Sequence, residues 1–192
     1  MTKPDKRKTI LRSLEKVLKD RRFDEITVDE VAEDAGVGKG TVYRYFIDKE
    51  NLFFEMARNF LTEEIDDVMV VAASSLSPHD KLIRIGEEIS RHMQNRGEYL
   101  RMMPKIPFSA TNKNCPKNIM AEHHQRLDRI LIQLLQDAEQ SGVLRPGIDH
   151  DAITCIYKGM IMSRSMRPLH GQTDIPVAEL VNILLEGISR KD

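Results

Sequence analysis

Tryptophan is absent from the 192 residues, and aromatic residues make up only 5% of them. Cysteine is scarce: Cys115 and Cys155 are too few for a disulfide framework or a cysteine-rich zinc module. No apolar run approaches the roughly eighteen residues that a membrane-spanning helix needs. The first eight residues, Met1 to Lys8, are charged and have no apolar stretch behind them, so no secretory signal is expected. Excess charge is lacking too. The 29 basic and 30 acidic residues leave −1, which excludes a polycation that coats nucleic acid without preference. No glycine-rich phosphate loop, nucleophile elbow or paired-carboxylate constellation is present, so neither an enzyme nor a bound cofactor is expected. What is present is 41% hydrophobic and 31% charged residues, enough to fold around a core. The expected setting is the reducing cytoplasm.

The neutral total hides a pattern. Residues 1–22 carry nine basic and three acidic groups, a net of +6. Residues 23–34 carry six acids and no base, a net of −6. Residues 38–49 return to +2, with Lys39, Arg44 and Lys49 against Asp48. A duplex needs only a local positive patch, although charge runs of this kind also serve as plain solvated helix faces.

Nearly every segment reads as helix. Ile10, Leu14, Val17 and Leu18 recur at helical spacing within 5–21, and Val28, Val31, Ala32 and Ala35 within a short second helix. Thr27 with Glu30 three residues on is a capping-box pattern, and Gly36 supplies the stop. A third short helix is expected from Lys39 to Tyr45. Asp48 caps a fourth, which runs about six turns through Leu52, Phe53, Met56, Phe60, Leu61, Ile65 and Val68. Ser77-Pro78 opens a fifth along Leu82, Ile85, Ile89 and Met93. Gly97, Pro104, Pro107 and Pro116 then predict a long irregular connection over 97–118, with one short helix at 98–103 as its only candidate element. Further helices are expected over 117–141, from Asp149 to Arg167, and over 176–190. No strand pattern, internal repeat or low-complexity tract stands out.

The informative stretch is 27–52. Two short helices meet at a tight turn holding Gly36, and Val31, Ala32, Val37, Val42 and Phe46 can fill the corner between them. This is helix-turn-helix logic. The second helix begins with Gly38, Lys39, Gly40 and Thr41, where missing side chains let backbone amides approach a phosphate. Val42 and Phe46, four apart, face inward. Lys39, Gly40, Tyr43 and Arg44 are left on the outward side, where an exposed tyrosine beside an arginine suits phosphate or base-edge contact.

The stretch Ala35-Gly36-Val37-Gly38-Lys39-Gly40-Thr41-Val42-Tyr43-Arg44-Tyr45-Phe46, followed by Asp48-Lys49-Glu50-Asn51-Leu52, resembles the DNA-binding signature of the TetR family. The resemblance covers about residues 9–58. It departs at Gly38, where the family more often has serine, and so removes a hydroxyl available for capping or phosphate contact. The resemblance implies an all-α homodimer of about nine helices per chain. It divides the chain into a helix-turn-helix domain over 1–48 and a helical ligand-binding and dimerisation domain over 49–192, with 49–72 as the linking helix. Thr27 and Lys49 then resemble the family's phosphate contacts. Lys39, Thr41, Tyr43 and Arg44 resemble its recognition-helix contacts, with Gly38 and Gly40 allowing close approach. The implied partners are a palindromic double-stranded operator, a small apolar or amphipathic effector, and a second copy of the chain held through the last two helices.

For the effector, the sequence offers Ile89, His92, Met93, Met103, Phe108, His123, Leu127, Leu131, Tyr157 and Met160, a set rich in adaptable methionine that equally suits plain core. His92 and His123 read either as polar handles or as solvated side chains. No metal is expected. Adjacent His123 and His124 point about 100° apart on a helix, and no His-x3-His or Cys-x2-Cys spacing occurs. Cys115, beside Lys113 and Lys117, reads as inert or as a redox-sensitive thiol, and Cys155 as core. The leading expectation is a repressor released by its effector. The alternative is a DNA-bound interaction protein on the same fold that acts through a protein partner.

Overall fold

Several helices begin where a short polar side chain meets the orphan amides of a first turn. In the computed structural model, which describes residues 5–19, 21–102, 116–167 and 171–188, Asp5 opens helix α1 (Lys6–Leu18) by accepting the Arg7 N–H at 3.0 Å. A 3-10 turn at Phe23–Glu25 leads to α2 (Val28–Asp34) and α3 (Lys39–Tyr45). Asp48 accepts the Asn51 N–H at 2.6 Å at the start of α4 (Lys49–Ala72). Ser77 accepts the Asp80 N–H at 3.1 Å in the first turn of α5 (Pro78–Met102). Helix α6 (Pro116–Gln140) follows; then Asp149 accepts the Ala152 N–H at 3.0 Å to start α7 (His150–Met166), and α8 (Val177–Ile188) completes the order. Among the described residues there are thus eight α-helices and no β-strand, against about nine helices expected.

The chain divides into two compact units. The first takes residues 1–61 and 98–121. Its core joins Ile10, Leu14 and Leu18 of α1, Val31 and Ala32 of α2, and Val42 of α3 to Leu52, Phe53, Met56 and Phe60 of α4. The second unit takes residues 62–97 and 122–192, and its core gathers Ile85, Ile89, Leu127, Leu131, Leu135, Tyr157, Ile161 and Val181. Here α5 passes close to α7 and α8. A Cβ on Gly86 would come within 2.7 Å of Val177 Cγ1 and 2.8 Å of Ile161 Cδ1, so glycine is what the approach requires. Beside it, the buried Tyr157 hydroxyl donates to the Leu82 carbonyl at 2.5 Å.

Two expectations change. The break foreseen at Gly97 does not occur, because α5 continues to Met102; a helix interior tolerates one glycine at a cost of about 1 kcal/mol, which packing of the surrounding turns can offset. Cys155, expected in the core, is exposed on α7. Met103, Phe108 and Cys115 lie outside the described residues, as does most of the 97–118 connection.

The turn after α2 shows why Gly36 is glycine. Its φ of +64° is left-handed, the Val37 N–H donates to the Ala32 carbonyl at 2.9 Å, and the Gly36 N–H donates to the Glu33 carbonyl at 3.0 Å. This is a Schellman stop, and it sets the corner at which α3 leaves. A side chain at that φ is strained, so Gly36→Ala should cost about 1–2 kcal/mol. A urea midpoint unchanged from wild type would refute that.

Candidate nucleic-acid interface

Helix α3 is held by two side chains. Val42 is buried, and Phe46 is buried at the helix end, four residues on. With that face inward, Lys39, Gly40, Tyr43 and Arg44 all stand exposed, and Thr41 is half-buried. Tyr43 is 47% exposed, far more than a packed aromatic. Gly38 is the N-cap and has no side chain to cap the first turn. A Cβ at Gly38 or Gly40 would meet nothing within 4 Å, and neither residue has a positive φ. The fold itself therefore does not require these glycines. Their bareness clears the outward surface at the start of the helix.

The charged groups around α3 are already paired. Lys39 Nζ lies 2.7 Å from Asp29 Oδ2, and this contact raises its ammonium pKa. Arg44 stacks its guanidinium 5.5 Å from the ring centroid of Tyr45, which is itself exposed. Lys49 sets its ammonium 4.3 Å from the Phe23 ring centroid, and partial burial pushes its pKa down. The opposed charge blocks read from the sequence meet in part. Lys16 pairs with Asp34, Arg21 with Glu30 at 2.9 Å, and Arg22 with Asp24 at 3.1 Å. Lys6, Lys8, Arg12 and Lys19 of the basic block remain exposed, and Lys39, Tyr43 and Arg44 stand on the outward face of α3. Asp29 is the residue that sequence reasoning missed here, since only the approach of α2 to α3 places it against Lys39.

Thr27 is occupied by its helix. Its hydroxyl oxygen accepts the Glu30 N–H at 3.3 Å, and the Glu30 carboxylate accepts the Thr27 N–H at 2.6 Å. The Glu30 carboxyl is held below the usual range, chiefly by the Arg21 guanidinium and then by Thr27. Thr27→Ala should lose about 1 kcal/mol of stability through the cap alone. Thr27→Ser retains the hydroxyl and should restore most of it. Equal denaturation midpoints for the two variants would contradict this.

In the second unit the effector candidates come together. Ile89, Leu127, Leu131 and Tyr157 share one core cluster, with Met93 and Met160 packed against it. The two histidines are buried, not solvated. His123 Nε2 lies 3.1 Å from Glu64 Oε1, and its Nδ1 is a buried atom without a hydrogen-bond partner. His92 Nε2 lies 2.9 Å from Asp67 Oδ2. Neither carboxylate could be assigned to its histidine from spacing, because each comes from α4 across a long sequence separation.

Residues 10–56 match the family described as bacterial regulatory proteins, tetR family. A helix-turn-helix transcriptional regulator of Mycobacterium bovis is 28% identical over 181 residues, spanning 91% of this chain and 84% of its own. The transcriptional repressor KstR2 of Mycolicibacterium smegmatis is 26% identical over 144 residues, spanning 70% of this chain and 65% of its own. In fold the chain is similar to the transcriptional regulator FadR of Bacillus subtilis, solved in complex with stearoyl-CoA. That match has a TM-score of 0.69 at 19% identity and covers 93% of this chain and 95% of FadR.

Proposed function

The chain belongs to the tetR family of bacterial regulatory proteins, and from that premise we propose that it is a cytoplasmic repressor released from a palindromic operator by a small apolar or amphipathic effector. It is a transcriptional regulator and not an enzyme. The observation that carries the proposal is the outward face of α3. Buried Val42 and Phe46 orient the helix so that Lys39, Tyr43 and Arg44 face away from the core, beside two glycines the fold does not need. Thr27, Thr41 and Lys49 flank that face. On a duplex, phosphates replace Asp29 as the partner of Lys39, and counterions leave the backbone.

Two copies pair through α7 and α8. Supporting this, the two helices pack on each other and leave Ile156, Met162 and Ile183 exposed, side chains that a two-fold partner would cover. Paired recognition helices read half-sites related by the same two-fold axis, hence the palindrome. The effector enters the core around Ile89, Met93, Leu127, Leu131, Tyr157 and Met160, where the methionines can repack. His123 supplies a polar handle through its unpartnered Nδ1. Met103 and Phe108 complete the set on sequence grounds. The bound ligand shifts α4 and so changes the spacing of the two recognition helices. Its preference for the released state sets the response at roughly 1–3 kcal/mol.

The deciding measurement is fluorescence anisotropy of the duplex upstream of the chain's own gene against a shuffled duplex, across a salt series. Tight binding with a large specificity ratio is expected. Equal, steeply salt-sensitive binding to both duplexes would leave only phosphate attraction and would refute the autoregulated operator.

A further inference from the structure

A second group of ligating side chains lies within the second unit. Asp67 stands on α4, and Glu88 and His92 stand on α5, four residues apart and so on one helix face. One ligating atom from each lies within 4.8 Å of the others. His92 is 6% exposed, and its Nε2 points at the carboxylates. Among the three sits Arg91 Nη2, 2.8 Å from Asp67 Oδ2, 2.5 Å from Glu88 Oε2 and 3.2 Å from His92 Nε2.

Arg91 Nη2 has two protons, one for each carboxylate, and His92 Nε2 completes the network by donating to Asp67. One cation thus already gathers the three groups at a single point. A divalent ion in its place would take a lone pair from each of them, with His92 presenting Nε2 unprotonated.

We propose that Asp67, Glu88 and His92 form a binding site for a divalent first-row transition cation, and that Arg91 is the cation it displaces. The Arg91 side chain is 51% exposed, so it has an open path to water. Two carboxylates and one guanidinium sum to −1; a divalent ion in place of the guanidinium neutralises both carboxylates. One imidazole with two carboxylates suits zinc, cobalt or manganese, whereas calcium and magnesium favour all-oxygen sites. Ligand distances of about 2.0–2.2 Å require the three groups to close in by under about 1 Å. No metal is expected from the sequence because Asp67 reaches Glu88 and His92 only through the packing of α4 on α5. The site stands independently of the operator and effector readings.

The test uses the full chain, stripped with a chelator and titrated with zinc by calorimetry and with cobalt by visible absorption. Wild type is expected to take up one ion per chain at this site. Arg91→Ala removes the competing cation and should tighten binding by about tenfold or more. His92→Gln should weaken binding by about 10- to 100-fold and abolish the cobalt spectrum. Glu88→Gln, on the more exposed side, should weaken binding likewise and guards against misfolding of the His92 variant. If the cluster is only an ion-pair network, Arg91→Ala gains no affinity and zinc uptake is unaffected by His92→Gln; either result overturns the proposal. Absence of saturable uptake by both wild type and Arg91→Ala at millimolar metal overturns it as well.

Discussion

Tyr43→Ala should weaken operator binding by about tenfold or more while leaving the urea midpoint of the chain unchanged, the effect of losing one good base-edge or phosphate contact of about 1–3 kcal/mol. The two readouts separate because of where the ring lies. Tyr43 is on the exposed face of α3 and belongs to neither core cluster, so its truncation removes little packing. Lys39→Ala supplies the contrast. In the proposed complex Lys39 would meet DNA as a point charge, so its loss should weaken specific and shuffled duplexes alike and lower the salt slope by about one. Tyr43→Ala should instead lower the ratio between the two duplexes. A folded Tyr43→Ala protein with undiminished operator affinity would remove Tyr43 from the interface.

Local signals were legible in the sequence and distant ones were not. Thr27 with Glu30, Gly36 before Val37, and the caps Asp48, Ser77 and Asp149 each satisfy backbone groups within about one turn, so neighbouring residues suffice to identify them. The inward pair Val42 and Phe46 follows from helical period for the same reason. The ion pairs of the charge blocks were not legible, because several partners lie on different helices. Lys16 meets Asp34 and Lys39 meets Asp29 only once α1, α2 and α3 have packed. The buried histidines misled similarly: Glu64 and Asp67 come from α4, and no spacing rule links them to His123 or His92. Cys155 shows the opposite failure, since an apolar residue on a packing helix need not sit on its packed side. For the interface, residue types and outward placement were readable, but the prior engagement of Lys39 by Asp29 was not.

Phe53→Ala should give the largest loss of stability, about 3–5 kcal/mol, and should abolish DNA binding by a different route from Tyr43→Ala. Phe53 is fully buried in the first unit, and its ring meets Phe23 edge to face at 5.3 Å and Phe54 at 6.0 Å. Truncation leaves a cavity walled by two aromatic rings, both of which lose their edge contacts. It also releases Phe23, the ring beneath the Lys49 ammonium, and so loosens the 3-10 turn that leads into α2. Against a typical domain stability of about 5–15 kcal/mol, that loss removes a large share of the margin and raises the unfolded-to-folded ratio by about a hundredfold or more. Phe53→Leu refills most of the volume and should recover more than half of the loss. DNA binding in the Phe53 series should therefore follow the urea midpoint, whereas in the Tyr43 variant it should fall with no movement of the midpoint. A Phe53→Ala midpoint within about 1 kcal/mol of wild type would mean that the first unit does not depend on this aromatic cluster, and that α3 is held by other contacts.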